Sequence, residues 1–326
     1  MIGAHHRQQS SRVWLVIVLR WAAGLAVVGV LLYFLPMAPL RAAIERVPTS
    51  RFVLVLAGYL LAHALGIVKW RMVLNAAGAE LDFATSAQCY TGGLFGTLFL
   101  PSIVGGDAIR LAVGVRRSPQ PSAVLAGNVV DRFLDVSVQA GLVLFGLVLL
   151  PDSLPEQLEE RAEGALVWVG VAAIVVLVAV FLLWKTLLRG RSIRFRRRLA
   201  RVRHALRSVS RQPRVLVIGW VMGTCIQSAF LILTARLALY CGLNLPFRVW
   251  FFAWPLAKLA AVLPLTQGGI GVREAALVAL LAPFGAPGSL VLAAGLVWEG
   301  VILAGGLVAG AVAFGLRRIE TARAEP

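Results

Sequence analysis

Two stretches of the chain follow one eleven-residue pattern, Leu-Pro-x3-Gly-Gly-x3-Arg. Residues 100–110 read LPSIVGGDAIR, and residues 263–273 read LPLTQGGIGVR. Each copy follows an apolar stretch, so a proline, two adjacent glycines and an arginine fall at membrane depth. Irregular backbone is tolerated there only where protein buries it or where it lines a wet cavity. Transporters build binding sites from duplicated broken helices of this kind, although glycine and proline also punctuate ordinary membrane helices.

The composition is that of a membrane protein, because 59% of the residues are hydrophobic and only 14% are charged. A helix needs roughly 20 apolar residues to cross the hydrocarbon core. Six stretches predict full spans: 19–35, 52–70, 122–150, 165–184, 215–240 and 290–316. Two shorter apolar stretches, 85–100 and 249–263, each run into one copy of the motif.

We therefore predict an all-α polytopic integral membrane protein with a single transmembrane domain over residues 1–326. It has about six full transmembrane helices plus two re-entrant or broken helical hairpins in an inverted repeat. If the hairpins span the membrane, the number of transmembrane helices is eight.

The distribution of charge predicts the orientation. Residues 185–214 contain twelve Lys or Arg and no acid, whereas residues 151–164 contain five acids and one Arg. By the positive-inside rule the first of these segments is cytoplasmic. Alternation of the spans then puts both termini in the cytoplasm. The predicted outer loop 37–51 carries three arginines, which is a mild conflict.

This orientation makes the two motif copies enter the membrane from opposite sides. Each copy has a span before it and a span after it, so residues 52–150 and 215–316 form two units of opposite topology. Inverted repeats of this kind are typical of secondary transporters, in which the substrate lies near the midplane between two halves.

Charged side chains inside these segments are the candidate site residues, because a charge at membrane depth is costly and marks a function or a structural pair. Arg110 and Arg273 follow glycine pairs that would let backbone amides approach a ligand, and a guanidinium suits phosphate oxygens. The predicted substrate-binding set comprises Gly105, Gly106, Asp107, Arg110, Asp131, Arg132, Asp135, Gly268, Gly269, Arg273, Glu274 and Glu299. Lys258 is a further charge in an apolar stretch.

Asp131 and Asp135 are four residues apart and so share one helical face. These two carboxylates have several interpretations: they could hold a metal, form ion pairs with Arg110 or Arg273, or recognise a cationic headgroup. Purely structural pairing explains them equally well, since intramembrane charges generally pair with each other.

The basic segment 185–214 also predicts an amphipathic helix. Val202, Leu206 and Val209 recur at helical spacing, and arginines fill the remaining faces. Such a helix suits the anionic inner leaflet, and the same charge would also serve as a plain topology determinant. The flanking spans argue against nucleic-acid binding.

Four segments of the chain, taken in order, resemble the membrane region of the lysylphosphatidylglycerol synthase and flippase family. They are Lys69-Trp70-Arg71, LPSIVGGDAIR, the run 131–135 (DRFLD) and LPLTQGGIGVREAAL. The resemblance extends over residues 52–316. It implies a lipid-translocating domain of the bacterial cytoplasmic (inner) membrane. It also implies membrane lipids as partners (anionic phospholipid, aminoacyl lipid, hopanoid or glycolipid) and a cytoplasmic lipid-modifying enzyme as a further partner. Only residues 317–326 follow the last span, so we expect no aminoacyltransferase activity.

The leading hypothesis for function is a lipid flippase that moves a phospho- or aminoacyl-headgroup lipid between leaflets. One alternative is an intramembrane enzyme that acts on a lipid phosphate or polyprenyl carrier, with Asp131 and Asp135 as metal or base site. Another is a scaffold for a lipid-synthesising partner. The duplicated motif favours transport, because catalysis needs only one site. The sequence has no phosphate-binding G-x4-G-K-[ST] loop, and its histidines and cysteines lack ligand spacing. We therefore predict no catalytic residue, no cofactor and no metal site.

Overall fold

The computed structural model describes residues 37–100, 102–150, 193–261, 266 and 269–324, and scattered positions between 18 and 35. The predicted span 165–184 and the acidic loop 151–164 lie outside the described residues, as does most of the predicted span 19–35. The basic segment is described from Ile193 onward.

Every regular element of the described residues is helical, which confirms the all-α class. The α-helices are α1 (Met37–Glu45), α2 (Thr49–Ala76), α3 (Phe83–Thr97), α4 (Ser102–Arg117), α5 (Pro121–Val148), α6 (Ile193–Ser210), α7 (Pro213–Tyr240), α8 (Phe247–Ala260), α9 (Val272–Leu281) and α10 (Gly288–Ala324). A short 3-10 turn, Ala282–Phe284, joins α9 to α10.

Three of the described helices are long and apolar enough to cross a membrane: α2, α7 and residues 288–319 of α10, each with a mean hydropathy of 2.0. Helix α5 has the same 28-residue length as α2, but its middle carries three charges, Asp131, Arg132 and Asp135. The chain is therefore membrane-embedded, and the arrangement of six spans and two hairpins stays a prediction.

The described helices form two groups with the same order of long and short members. Helices α2, α3, α4 and α5 have 28, 15, 16 and 28 residues, and helices α7, α8, α9 and α10 have 28, 14, 10 and 37. We call these groups the first and the second unit. In each unit the motif lies at the junction between the two short helices.

The two copies of the motif nevertheless differ in backbone structure. Gly105 and Gly106 lie inside α4, so their amides belong to the helix rather than to an irregular loop, in contrast to the expectation for a broken segment. A Cβ on Gly106 would lie 2.6 Å from the Gly93 carbonyl oxygen, so this glycine lets α3 and α4 pack closely. In the second copy Gly269 and Gly271 adopt positive φ values of 82° and 84°, which only glycine takes without strain. Gly268 lies outside the described residues.

The units pack against each other reciprocally. The first short helix of each unit packs on the last long helix of the other, α3 on α10 and α8 on α5, while α2 packs on α7. Glycines make these contacts close: a Cβ on Gly306 would meet the Leu98 side chain at 2.9 Å, and one on Gly146 would lie 2.6 Å from the Phe252 nitrogen. A two-fold relation between the units would produce this reciprocity.

Helix α6 packs against the first unit. The side chains of Ser208 and Gln212 donate to the Ala76 carbonyl oxygen, at 3.2 and 3.0 Å, at the carboxyl end of α2. Ala205 and Val209, on the apolar stripe of α6, are buried in the cluster that includes Trp70. Part of the predicted amphipathic stripe therefore contacts protein rather than lipid.

The close contact of Gly146 with α8 predicts that a larger side chain at this position destabilises the protein. Gly146→Ala would place a methyl group against the backbone of α8, which cannot move without shifting the whole helix, so we expect a destabilisation of about 1–3 kcal/mol. Gly141→Ala is the matched control, because it lies on the same helix and its Cβ would make an ordinary 3.8 Å contact with Trp220. The measurement is the temperature at which the detergent-solubilised protein loses its monodisperse size-exclusion peak. Equal stability of the two variants would contradict close packing of α5 on α8.

Candidate functional site

A cavity of about 410 Å³ lies between the two units. Helices α2, α3, α4 and α5 line it from one side, and helices α7, α8 and α10 together with Arg273 of α9 line it from the other. Its charged lining residues are Lys69, Asp107, Arg110, Asp131, Arg132, Asp135, Lys258, Arg273 and Glu299. Most of the predicted substrate-binding residues thus meet in one place, although they come from distant parts of the chain.

The first unit contributes a dense network of ion pairs. The Lys69 Nζ lies 2.9 Å from the Asp131 Oδ1 and also contacts Asp135. Arg132 Nη2 lies 2.9 Å from Asp131 and 3.1 Å from Asp135, and its Nε lies 3.4 Å from the Asp107 Oδ2. Two cations from α2 and α5 thus neutralise the two carboxylates of α5 and connect them to α4.

This network helps to distinguish the proposed roles of Asp131 and Asp135. Both carboxylates contact Lys69 and Arg132, whereas the sequence suggested Arg110 or Arg273 as partners. Within the described part of the chain, no group of three or more His, Cys, Asp or Glu side chains is placed to hold a metal. The contacts therefore favour structural pairing of these two residues over a metal site.

Arg273, the motif arginine of the second unit, is neutralised within the protein. Its Nη2 lies 2.6 Å from the Glu274 Oε1 and 2.6 Å from the Glu299 Oε1. Glu274 is fully buried, and its Oε2 accepts a 2.8 Å hydrogen bond from the Gly271 amide at the start of α9. Glu274 thus fixes the loop and the arginine together, while Glu299 brings α10 to them.

Arg110, the motif arginine of the first unit, is in a different state. Its nearest carboxylate oxygen, on Asp107, lies 3.6 Å from its Nη1, beyond hydrogen-bond distance. Its Nε and Nη1 are buried and have no hydrogen-bond partner among the described residues. Buried donors without a partner are costly, so these two atoms mark a position where a ligand or water would be stabilised.

Each motif arginine lies near an aromatic ring from the preceding short helix. The Arg110 guanidinium carbon is 3.9 Å from the centroid of the Tyr90 ring, and that of Arg273 is 5.8 Å from the Trp254 ring. Tyr90 and Trp254 are each the eighth residue of their helix. The two units therefore repeat an arginine–aromatic pair, although the charges around each pair differ.

Lys258 of α8 extends the polar surface of the second unit. Its Nζ donates a 2.7 Å hydrogen bond to the Gln227 Oε1 and lies 5.0 Å from the centroid of the Phe230 ring. No carboxylate of the described residues lies within 4 Å of it. Trp254 lies one turn before Lys258, and its buried Nε1 has no hydrogen-bond partner among the described residues.

A wall of aromatic rings also lines the cavity. The ring centroid of Tyr59 lies 4.4 Å from that of His63, 5.5 Å from Phe230 and 5.9 Å from Trp298. The His63 Nδ1 lies 3.2 Å from the Tyr90 hydroxyl oxygen, so this histidine is a hydrogen-bonded bundle residue. The cavity is therefore amphipathic, with charged and aromatic surfaces that face the same space.

Four residues that line the cavity are absent from the substrate-binding set predicted from the sequence: Lys69, Tyr90, Trp254 and Lys258. Lys258 was recognisable as a charge in an apolar stretch. Trp254 lies four residues before it and hence on the same helical face, which is a signal that the sequence does contain. Of the predicted residues that the structure describes, Gly105, Gly269 and Glu274 do not line the cavity.

Comparison with known proteins gives one match. The family described as lysylphosphatidylglycerol synthase TM region matches residues 21–310, which is most of the chain. No curated protein and no solved structure matches the chain significantly.

The network predicts that Lys69 stabilises the fold. The Lys69 and Asp131 side chains are 4% and 2% exposed, so Lys69→Met removes one partner of a buried ion pair and should cost about 3–5 kcal/mol. The double variant Lys69→Met/Asp131→Asn should recover most of this loss, since the remaining charges balance again. Arg41→Met is the surface control: its pair with Glu45 is exposed and should cost less than about 1 kcal/mol. The readout is thermal loss of the monodisperse peak, and a double variant no more stable than Lys69→Met would refute the pairing argument.

Proposed function

The chain belongs to the family of the lysylphosphatidylglycerol synthase transmembrane region, and we propose that it moves a polar-headgroup lipid between the two membrane leaflets. Membership makes it a membrane protein related to lipids. The observation that carries the proposal is the cavity between the units, where charged donors and an aromatic wall meet.

A cavity of this composition addresses the main obstacle to lipid crossing. The acyl chains can stay in the bilayer, but the headgroup must leave water, and an unpaired polar or charged group in an apolar medium is costly. Hydrogen-bond donors and charges on Arg110, Arg132 and Lys258 would replace the water that the headgroup loses. The cost of crossing would thereby fall, while the apolar residues that surround the site would still exclude free ions.

The two units are proposed to be the halves of an inverted repeat, over about residues 52–150 and 215–316. The equal order of helices and the reciprocal packing of α3 on α10 and of α8 on α5 support this relation. In transporters with such repeats, one half rocks against the other around a fixed midplane site. The re-entrant character of the hairpins α3–α4 and α8–α9 belongs to the same proposal.

The unequal states of the motif arginines fit alternating access. Arg110 has donors without partners, whereas Arg273 is bound by Glu274 and Glu299. We propose that this structure is one of two states, and that Arg273 is released from Glu299 when the halves exchange roles. The headgroup would then have one open arginine at a time, on alternate sides of the midplane.

The location of the protein is part of the same proposal. We place it in the bacterial cytoplasmic membrane with residues 185–214 and both termini in the cytoplasm, on the charge distribution given above. Anionic phospholipid, aminoacyl lipid, hopanoid or glycolipid are the candidate cargoes, and a cytoplasmic lipid-modifying enzyme is a candidate partner.

The transport proposal predicts that replacing either motif arginine slows lipid crossing. In proteoliposomes, Arg110→Ala and Arg273→Ala should lower the initial rate of lipid crossing at least about tenfold, because a desolvated charge-assisted contact is lost. Arg110→Lys keeps the charge but loses the planar fork, so it should also be impaired. Arg236→Ala removes an exposed arginine from α7 and should leave the rate unchanged.

The measurement is the crossing of headgroup-labelled lipids, scored as a panel, with folded protein confirmed by size exclusion. Wild-type rates in both Arg→Ala variants would show that these arginines have only structural roles. Chemical turnover of a lipid in detergent, without any bilayer, would favour the intramembrane enzyme instead.

A further inference from the structure

Four buried hydrogen-bond donors on the cavity wall have no hydrogen-bond partner within the described residues. They are the Nε and Nη1 of Arg110 and the Nε of Arg132 in the first unit, and the Nε1 of Trp254 in the second unit. The Arg132 Nε lies 3.4 Å from the Asp107 Oδ2, so this arginine already belongs to the ion-pair network. Arg110 is 5% exposed and Trp254 is 3% exposed, so neither side chain is simply hydrated at an outer surface. Both residues line the cavity between the units.

Lys258 adds a charge to this donor group. Its ammonium has three hydrogens and uses one of them for the 2.7 Å bond to Gln227. Lys258 and Trp254 lie four residues apart on α8, so they project from one face of that helix. Arg110, Trp254 and Lys258 are the donor set.

Arg273 does not belong to the donor set in this state. Its Nη2 is held at 2.6 Å by both Glu274 and Glu299, and its Nε lies 3.1 Å from the Glu274 Oε1. A ligand anion would have to compete with two carboxylates for this arginine. The two motif arginines therefore differ in this structure: Arg273 is bound to carboxylates, and Arg110 has donors without a partner among the described residues.

The carboxylates of the cavity are already occupied. Asp131 and Asp135 contact Lys69 and Arg132. Asp107 lies 3.4 Å from Arg132, and Glu299 lies 2.6 Å from Arg273. A cationic group on a ligand would find these carboxylates already paired and, among the lining residues, the amide oxygen Oε1 of Gln139 as an unused acceptor, whereas an anionic group would meet several unused donors.

We propose that the donor set forms one binding site for a phosphate group, with Arg110 on one unit and Lys258 and Trp254 on the other. Phosphate oxygens accept several hydrogen bonds and match both a guanidinium and an ammonium. The inference rests on the proposed function, because it defines the headgroup class as an anionic phosphate that needs no amine. A phosphate held in this way links the two units across the cavity.

The first test uses the unmodified protein in detergent and titration calorimetry. Dioctanoylphosphatidylglycerol should bind at least about tenfold more tightly than dioctanoylglycerol, which lacks the phosphate. Lysylation of the same phosphatidylglycerol should give no further gain in affinity. Inorganic phosphate distinguishes a lipid site from a site for the free anion: it should compete only weakly, because it does not use the aromatic wall. Equal affinity for the two dioctanoyl lipids would overturn the proposal, and so would tight binding of inorganic phosphate alone.

The second test assigns the binding to the donor set. Lys258→Met and Arg110→Gln should each weaken binding of dioctanoylphosphatidylglycerol at least about tenfold, because each removes a charge-assisted contact. Trp254→Phe keeps a ring and removes one N–H, so its loss should be smaller, about threefold to tenfold. Arg248→Gln is the matched control, since it removes an exposed charge from the same helix and should bind as the wild type does.

If Lys258→Met does not yield folded protein, Lys258→Gln gives the same comparison with a polar side chain retained. Wild-type affinity in folded Arg110 and Lys258 variants would refute the site. An equal loss in Arg248→Gln would show that only the general positive charge matters, which also refutes it.

Binding and transport can fail separately. If dioctanoylphosphatidylglycerol binds as described but no labelled lipid crosses proteoliposomes, the phosphate site stands and the transport proposal is wrong. If lipid crosses at the wild-type rate in variants that do not bind the phosphate, transport stands and the phosphate site is wrong.

Discussion

The helices of the first unit are held together by the pairing of charges that are buried between them. A charged side chain between apolar helices must find a partner, because an isolated one is costly to bury. Lys69 supplies that partner from α2 for two carboxylates of α5, and Arg132 completes the balance and reaches α4 through Asp107. The same pairs that offset the cost of burying the charges of α5 also connect three helices of the first unit around the cavity.

The units share a plan of helices but differ in their charges. Tyr90 and Trp254 are each the eighth residue of the short helix before the motif, so each unit places an aromatic ring near its motif arginine. Only the second motif arginine is followed directly by an acid, Glu274, which is why Arg273 is hydrogen-bonded to a carboxylate, whereas the carboxylate beside Arg110, on Asp107, lies 3.6 Å away. The two units have a similar order of helices but unequal ion pairs, so the two sides of the cavity differ in charge.

The sequence predicts the helices better than it predicts the site. Apolar runs at 52–70 and 215–240 anticipated α2 and α7, because length and hydropathy are local properties. The Lys69–Asp135 contact joins residues 66 positions apart, so no local pattern could reveal it. Likewise the glycines of the first motif looked like a break, but Gly105 and Gly106 lie inside α4, where a Cβ on Gly105 would meet Leu100 and one on Gly106 would meet Gly93.

If the two halves give alternating access to the cavity, a cysteine placed in the cavity should be reachable from both faces of the membrane. Gln139 is suitable because it lines the cavity and is only 6% exposed, so a reagent can reach it only through the cavity. Gln139→Cys would be placed in a protein whose Cys89, Cys225 and Cys241 are replaced by serine, and reconstituted with one orientation in vesicles. A membrane-impermeant thiol reagent should label it from either face of the vesicle, and more slowly when dioctanoylphosphatidylglycerol is present. Labelling from one face alone, with or without lipid, would contradict the account.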